Sequence, residues 1–309
     1  MIQLENLTKY YGETHAVDSV SFEIPLGQIV GFLGPNGAGK TTTMRMLTGY
    51  LTPTSGTAKV LGLDIIENSL EVRKKIGYLP EMNPVYDDMT IPEYLEFVAE
   101  IRNIEKEKVT ARIKEVVALC GLKDVIQKNI GELSRGYKQR VGFAAAIFHN
   151  PEVLILDEPT SGLDPNQARD VRELIKELKK EKTVILSTHI LSEVQAICDR
   201  VLIINKGRIV ADGTTKELAS MVQGKELVHL EIKTTEDEKS VEEKLKSIPG
   251  CETAVSKGAR DGKLGFEIGA AVDPREEIFN LAVKNKWTLV EMHKQSVTLE
   301  EIFRQLTSQ

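Results

Sequence analysis

The sequence predicts an α/β protein: a layered domain of parallel strands and helices that contains a helical subdomain, followed by a smaller α+β domain. Three observations predict this fold. Short aliphatic runs that are apolar on both faces recur in the first two thirds of the chain, as in buried parallel strands. Patterns with one apolar stripe, typical of helices, lie between these runs. Beyond about residue 220 the pattern changes to the order βαββαβ.

The predicted buried strands are QIVGFL (28–33), VLIL (153–156), TVILS (183–187) and VLII (201–204). The segment 164–181 is the clearest helix between them. Asp164 is a suitable N-cap residue and Pro165 suits the first turn. An apolar stripe of Val171, Leu174, Ile175 and Leu178 follows. Strands alternating with helices in this way indicate an α/β layered domain, which we place at residues 1–219.

The strand pattern stops between about residues 90 and 130, and helical patterns replace it. Thr90 and Glu93 form a capping-box pattern ahead of a predicted stripe of Tyr94, Phe97, Val98 and Ile101. A second helix follows and ends at Gly121. We expect a helical subdomain at about residues 82–150, inserted in the first domain.

The remaining residues, 220–309, are predicted to form a C-terminal accessory α+β domain of the ferredoxin-like type. Its charged helix EDEKSVEEK is expected to be solvent-exposed, and its single tryptophan, Trp287, to be in the core. A last amphipathic helix is predicted to begin at Ser296 or Thr298. This domain contains no recognisable catalytic pattern, and we expect it to serve as a dimerisation platform, a regulatory site or a docking site.

The composition of the chain argues against several classes of function. The 309-residue chain carries a net charge of −6, which argues against coating nucleic acid through bulk electrostatics. Its three cysteines show no metal-site or disulfide spacing, which is typical of a reducing compartment. The N-terminus lacks a secretory signal pattern. The longest apolar run, VGFAAAIF, is far shorter than the ~20 residues of a membrane span. Any work at a membrane therefore needs another chain to cross it.

A glycine-rich segment, GPNGAGKTT, follows the first buried run and leads into a helical pattern. It matches G-x-x-x-x-G-K-[ST], in which backbone N–H groups at a helix N-terminus hold a phosphate. The lysine neutralises the β- and γ-phosphates, and the next hydroxyl can hold Mg²⁺. We expect ATP and Mg²⁺ as ligands. The residues expected to bind the nucleotide are Gly34, Pro35, Asn36, Gly37, Ala38, Gly39, Lys40, Thr41 and Thr42.

Polar side chains follow two other predicted strands. VLILDEP places Asp157, which would reach Mg²⁺, and Glu158, which would polarise the attacking water, at a strand end. His189 follows the strand of ILSTHI and is expected to contact the γ-phosphate. Asp164, in SGLDP, is both a helix cap and a candidate for the nucleotide site. A strand-end acidic pair and a lone histidine can be purely structural, but the glycine-rich segment favours the catalytic interpretation.

In order, GPNGAGKTT, LSRGYKQR, LILDEP, SGLD and STH resemble the motifs of the nucleotide-binding subunit of an ABC transporter, over about residues 2–216. The resemblance implies a P-loop ATPase of that type at the cytoplasmic face of the cell membrane, with a separate transmembrane permease as partner. It also places Tyr11 where the family stacks an aromatic ring on adenine. The alternative for Tyr11 is a core tyrosine.

The resemblance also gives a role to a second anion-holding stretch, GELSRGYKQRVG. In this family two subunits pair head to tail, and each ATP is held between the P-loop of one chain and an LSGGQ-type motif of the other. Ser134 and the backbone of Gly136 would then face the γ-phosphate of the partner's ATP, with Arg135 between them. Ser134 is also a good helix cap, and both roles are compatible.

Two departures from the family pattern involve three residues. LSRGY replaces LSGGQ, so Arg135 and Tyr137 stand where the family has Gly and Gln. Arg135 could add charge near the triphosphate or point to water, and we favour water. Glu81 stands where a glutamine usually follows the strand IGYLP; its carboxylate can still coordinate Mg²⁺. These replacements put in doubt whether hydrolysis is coupled to the permease as strongly as is usual in the family.

The resulting hypothesis is the ATP-hydrolysing subunit of a membrane exporter, similar to multidrug, antibiotic-resistance and gliding-motility-associated ATPases, and acting as a homodimer. IGYLPEMNPVY, LSRGYKQR and the C-terminal extension carry this finer resemblance. A soluble ABC ATPase of translation or DNA repair is the alternative; the single motif set and the acidic balance argue against it. A scaffold that binds ATP without hydrolysis is a third possibility, which Glu158 and His189 disfavour.

Overall fold

The structure is a computed structural model that describes residues 1–222, 226–295 and 299–307. The chain divides into two compact units: Met1–Thr215 together with the chain from Phe303 onward, and Lys216–Ile302. The sequence prediction places the whole terminal helix in the second domain. The Thr307 carbonyl accepts a hydrogen bond from Asn205 Nδ2 at 3.5 Å, which connects the end of that helix to the first unit.

The first unit contains two sheets. One has four antiparallel strands in the order β2-β1-β4-β5, and the other has six strands in the order β10-β9-β3-β8-β7-β6. In the larger sheet all neighbouring pairs are parallel except β9 with β10. The strands are β1 (Ile2–Tyr11), β2 (Thr14–Ile24), β3 (Ile29–Leu33), β4 (Ser55–Val60), β5 (Leu63–Asp64), β6 (Ile76–Leu79), β7 (Val153–Asp157), β8 (Thr183–Thr188), β9 (Arg200–Asn205) and β10 (Arg208–Gly213).

The four predicted aliphatic strands form the centre of the larger sheet. Every residue of β3, β7 and β8 is buried, so both faces of these strands are covered by other elements. Two apolar clusters pack on the sheet, with Leu154 and Leu186 in one cluster and Phe32 and Ile155 in the other. Burial on both faces explains why these strands read as continuous apolar runs rather than alternating ones.

Helices connect these strands and cover the sheet. Up to residue 222 they are α1 (Lys40–Leu47), α2 (Ser69–Lys75), α3 (Ile91–Ile101), α4 (Lys106–Leu119), α5 (Arg135–Ile147), α6 (Pro165–Leu178), α7 (Leu191–Ile197) and α8 (Thr215–Val222). The predicted stripe of α6 is buried, and Asp164 caps it by accepting hydrogen bonds from the backbone N–H groups of Asn166 and Gln167, both at 3.0 Å. In the described parts of the chain, no helix is both long and apolar enough to cross a bilayer.

Between residues 82 and 150, where the helical subdomain is predicted, the chain is mainly helical and contains α3, α4 and α5. Thr90 and Glu93 form the predicted capping box of α3. The predicted stripe of α3 is wrong at Ile101, whose side chain is 61% exposed. The helix buries Ile91, Tyr94, Leu95 and Ala99, and the predicted Phe97 and Val98 are partly buried against the neighbouring apolar cluster.

The second unit has the predicted order βαββαβ. Its elements are β11 (Glu226–Lys233), α9 (Glu238–Lys246), β12 (Cys251–Arg260), β13 (Lys263–Ala270), α10 (Arg275–Lys284) and β14 (Thr288–Gln295), followed by α11 (Leu299–Thr307). The four strands form an antiparallel sheet in the order β12-β13-β11-β14. Its inner face packs on α9 and α10, and Trp287 is buried there as predicted. The predicted starts of the last helix, Ser296 and Thr298, lie outside the described residues.

Candidate active site

A cavity of about 430 Å³ lies at the carboxyl ends of the parallel strands. Open α/β sheets bind ligands at this edge, because the loops that follow neighbouring strands meet there. The cavity is lined by Ala16, Asn36, Gly37, Gly39, Lys40, Thr41, Thr42, Glu81, Glu158, Ser161 and His189. It therefore brings together residues from the glycine-rich segment, from the loops after β6, β7 and β8, and from β2.

The glycine-rich segment needs glycine for specific steric reasons. Gly39 has φ 107°, and a Cβ atom there would lie 2.4 Å from the Ala16 carbonyl oxygen. A Cβ atom at Gly34 would lie 2.5 Å from the carbonyl oxygen of Ile204. Both contacts are shorter than van der Waals separation and involve backbone, so only glycine lets the loop pass this close to β2 and β9. The loop then enters α1, whose N-terminus faces the cavity.

Lys40 is buried at the start of α1, with 7% of its surface exposed. Its Nζ donates hydrogen bonds to the carbonyl oxygens of Gly34 at 2.8 Å and Pro35 at 3.2 Å. The same Nζ lies 3.4 Å from Glu158 Oε1, and both side chains are almost fully shielded from water. A positive charge is thus fixed inside the loop whose backbone N–H groups are expected to hold phosphate.

Asp157 ends β7 and is fully buried. Its Oδ1 accepts hydrogen bonds from Ser187 Oγ and from Thr41 Oγ1, the latter at 3.3 Å. Its Oδ2 has no hydrogen-bond partner among the described residues. Burial raises the pKa of this carboxyl, and the neighbouring Glu158 adds to the increase. A buried carboxylate with a free oxygen beside a hydroxyl is the donor set that Mg²⁺ prefers.

Glu158 follows Asp157 and has φ 48°, a left-handed conformation that is uncommon for a residue other than glycine. Its backbone N–H donates to the carbonyl oxygen and to Oγ of Ser187, both at 3.1 Å, which holds this conformation. Its Oε2 lies 2.9 Å from Nδ1 of His189. The carboxylate is therefore placed between Lys40 and His189 at the wall of the cavity.

Three other residues that were predicted to belong to the site differ in whether they line the cavity. Glu81 lines the cavity. Tyr11 lies at the hairpin that joins β1 and β2, is 50% exposed and is not a cavity-lining residue, so it is not the core tyrosine considered as its alternative. Asp164 caps α6 outside the lining.

The stretch that begins with Ser134 is also outside the cavity lining. Ser134 is exposed and caps α5, where its Oγ accepts a hydrogen bond from the Tyr137 backbone N–H at 3.5 Å. The guanidinium of Arg135 packs against Gly162, since a Cβ atom there would lie 2.3 Å from it. Gly136 packs against the Gln167 side chain, since a Cβ atom at Gly136 would lie 2.5 Å from it. Arg135 is exposed, as expected for a side chain that points to water, and its guanidinium also lies over Gly162 of the SGLD loop.

Three residues that support the site were missed by the sequence analysis. Glu193, in α7, is 4% exposed; one carboxylate oxygen accepts a hydrogen bond from the Thr160 hydroxyl, and the other accepts from Thr188 Oγ1 at 2.9 Å. Gln139 Nε2, in α5, donates to the Pro159 carbonyl at 3.0 Å. Ser187 binds both acidic residues, as described above. Two signals in the sequence could have found Glu193 and Ser187. Glu193 is an acidic residue on the apolar side of a helix, and Ser187 is a polar residue inside a buried strand.

A buried lysine in a glycine-rich loop, a metal-binding aspartate and a strained glutamate beside a histidine define a P-loop NTPase equipped for hydrolysis. A family described as ABC transporter matches residues 17–161. The chain is 44% identical over 223 residues to the uncharacterized ABC transporter ATP-binding protein YxlF of Bacillus subtilis (strain 168), covering 72% of this chain and 74% of that one. It is 42% identical over 214 residues to the bacitracin transport ATP-binding protein BcrA of Bacillus licheniformis, covering 69% of each.

Solved structures agree with the sequence comparisons. A dimeric post-hydrolysis state of the ATP-binding cassette MJ0796, bound to ADP and Pi, superposes with a TM-score of 0.64 and 25% identity, covering 69% of this chain and 98% of that one. This chain belongs to the ATP-binding proteins of ABC transporters, and it is an ATP-binding and ATP-hydrolysing subunit.

Proposed function

We infer that the cavity binds MgATP and that the predicted residues act on it as follows. Lys40 and the backbone N–H groups of the Gly34–Thr42 segment hold the β- and γ-phosphates. Thr41 and Asp157 would hold Mg²⁺. Thr41 and Glu81 line the cavity, and Asp157 is buried next to Thr41, from which it accepts a hydrogen bond. The Oδ2 atom of Asp157, which has no hydrogen-bond partner among the described residues, supports this assignment. When bound, the ion neutralises negative charge on the phosphates. Tyr11, which is exposed outside the cavity lining, would stack on an adenine that extends past the cavity.

Glu158 then acts as the general base for the attacking water. Its Oε2 is 2.9 Å from His189 Nδ1, which fixes the carboxylate and keeps the imidazole at the cavity wall. The strained backbone at Glu158 and its two hydrogen bonds to Ser187 preorganise the carboxylate before substrate arrives. His189 contacts the γ-phosphate and holds it in line with the water.

The site is completed by a second subunit in a head-to-tail dimer. The observation that carries this proposal is that Ser134 is exposed and outside the cavity, although Glu158 and His189 of the same chain line it. A hydroxyl at the N-terminus of α5 is suited to an anion that another molecule brings. ATP between the two chains favours closure, and hydrolysis releases them.

Mixing two inactive variants tests the composite site. Lys40→Ala removes the P-loop charge, and Ser134→Arg blocks the α5 N-terminus; each homodimer then has two damaged sites. In a mixed head-to-tail dimer, the P-loop of the Ser134→Arg chain meets the intact Ser134 of the Lys40→Ala chain, so one site is restored. We expect ATP hydrolysis to reappear on mixing.

The matched control mixes Lys40→Ala with Glu158→Gln. Both changes damage the site at the chain's own P-loop, so no intact site forms and activity should stay absent. Recovery in the control, or none in the test mixture despite confirmed heterodimers, would contradict the head-to-tail arrangement. Glu158→Gln alone should also accumulate an ATP-bound dimer, detectable by light scattering.

The membrane partner is inferred from the relatives. BcrA is named for bacitracin transport, and YbhF of Escherichia coli (strain K12), 37% identical over 71% of this chain and 38% of that one, is named as a probable multidrug ABC transporter ATP-binding protein. These names favour an exporter over the alternative in translation or DNA repair. We place the chain at the cytoplasmic face of the membrane, bound to a separate permease. Affinity purification from membranes should recover a polytopic protein, and recovery of ribosomes or DNA repair proteins instead would contradict this.

A further inference from the structure

The outer face of the sheet in the second unit carries a compact group of histidine and glutamate side chains. We propose that this group, His229, Glu231, Glu291 and His293, binds a divalent transition metal ion such as Zn²⁺. It is separate from the nucleotide site, and the proposal does not depend on the function inferred above.

The strand register brings the four residues together. His229 and Glu231 are two positions apart on β11, so both point to the same face, opposite to buried Val228, Leu230 and Ile232. Across the antiparallel pair, His229 faces His293 and Glu231 faces Glu291 on β14. Directly opposed residues have Cβ atoms about 4.5–5.5 Å apart, so the four form a square on one surface.

Three of the four side chains already converge within this square. One ligand atom each from His229, Glu231 and Glu291 lies within 4.8 Å of the others. The two imidazole rings have centroids 5.1 Å apart, and His293 Nδ1 lies 3.0 Å from Glu291 Oε1. Small rotations about χ angles would bring these atoms to the ~2 Å bond lengths of a zinc site.

The charges on this face also favour a cation. Glu231 and Glu291 are directly opposite each other, an arrangement that is unfavourable between like charges. Lys263 Nζ lies 3.2 Å from Glu231 Oε2, which leaves Oε1 of that residue directed at His229 at 4.0 Å. Lys263 offsets the charge of Glu231 in part, and a metal ion between the strands would add positive charge next to Glu291 as well.

The ligand types select the class of metal. Imidazole nitrogen with carboxylate oxygen suits Zn²⁺, Cu²⁺, Ni²⁺ and Co²⁺, whereas Mg²⁺ and Ca²⁺ prefer sites made of oxygen alone. His229 and Glu231 are each only 30% exposed, which limits their rotamer freedom and favours a preformed site. Glu267 lies beside His229 on β13, but Lys257 Nζ holds it at 3.0 Å, so it is not one of the proposed ligands.

Cobalt titration of the full-length chain tests the proposal. Co²⁺ is added in the presence of excess Mg²⁺, which occupies oxygen-only sites, and visible ligand-field absorption is followed. We expect one equivalent to bind and Zn²⁺ to displace it. His229→Ala and Glu291→Gln should each weaken binding by at least about 10-fold, the lower end of the effect of removing even an outer partner of a metal ligand.

Two controls match these variants. Glu267→Gln removes a carboxylate from the same face, and His15→Ala removes an exposed histidine from the first unit; both should bind Co²⁺ as the parent chain does. Unchanged far-ultraviolet circular dichroism would show that each variant folds, and His229→Gln replaces the alanine variant if it does not. Absence of saturable binding, or binding that survives in both His229 and Glu291 variants, would overturn the proposal.

Discussion

Removal of the Glu193 carboxylate should slow ATP hydrolysis without weakening nucleotide binding. Glu193 holds Thr160, in the loop that follows Glu158, and Thr188, the neighbour of His189. Each hydrogen bond to a charged acceptor contributes about 1.5–3 kcal/mol, so Glu193→Ala should destabilise the fold by about 3 kcal/mol or more. Loss of both anchors also lets the two catalytic loops move apart. A displacement of about 1 Å can cost up to about 100-fold in rate, so we expect kcat to fall by about 10- to 100-fold.

The assay separates positioning from stability. Steady-state phosphate release gives kcat, and equilibrium binding of a fluorescent ATP analogue gives Kd, which should change less than about threefold because the P-loop contacts remain. Glu193→Gln keeps one acceptor oxygen and should fall between Ala and the parent chain. Val116→Ala, a truncation of a fully buried side chain in α4, is a control that costs about 2 kcal/mol away from the site.

The result that would refute this reasoning is specific. If Glu193→Ala lowered kcat no more than Val116→Ala does, measured well below both melting temperatures, then Glu193 would be a structural residue only. A parallel loss of kcat and nucleotide affinity would also refute it, because the proposed effect is confined to the loops that carry Glu158 and His189.

Three further outcomes are expected. Burial lowers the pKa of His149 from 6.5 to about 4. The neutral imidazole therefore contributes its full stability above pH 6.5, and about 3 kcal/mol of the free energy of unfolding is lost as pH falls toward 4. His149→Gln should flatten this part of the pH profile of stability, measured by urea unfolding. Burial raises the pKa of Asp157 above its ordinary value of 3.8, so the free energy of unfolding falls as pH rises and this carboxyl ionises. Without Mg²⁺, Asp157→Asn should therefore have a higher Tm than the parent chain at pH 7. An unchanged or lower Tm would contradict the destabilising effect of this buried charge. Gly162→Ala should destabilise the fold, because φ at this position is +70° and the new Cβ atom clashes with the Arg135 guanidinium. In a double-mutant cycle, adding Arg135→Ala should restore part of the lost stability. Simple additivity of the two changes would contradict the contact.

Local signals accounted for most of the fold. The Thr90–Glu93 capping box, the Asp164 cap and the doubly apolar strands each depend on neighbouring residues, and each appears as predicted. Ile101 was mispredicted because a helical stripe indicates which side of a helix is apolar but not how much of that side the rest of the fold covers. The extent of burial depends on residues that are distant in sequence.

The site residues likewise divide into those that local motifs mark and those whose partners are distant in sequence. Lys40, Asp157, Glu158 and His189 were predicted because each belongs to a short motif, and the structure brings all four together. Gln139 and Glu193 act through long-range hydrogen bonds, over 20 and 33 residues respectively. No motif marks such pairs in a single sequence, since their partners are determined by how α5 and α7 pack on the sheet.

Helix α5 joins two positions that serve different nucleotides. Its first turn begins at Ser134, which in the proposed dimer meets the ATP of the neighbouring subunit. Little more than one turn later, Gln139 donates a hydrogen bond to the carbonyl of Pro159, next to Glu158, the proposed base for the subunit's own ATP. A tilt of α5 would therefore move both positions at once, so the two hydrolysis events in the proposed pair of subunits would not be mechanically independent.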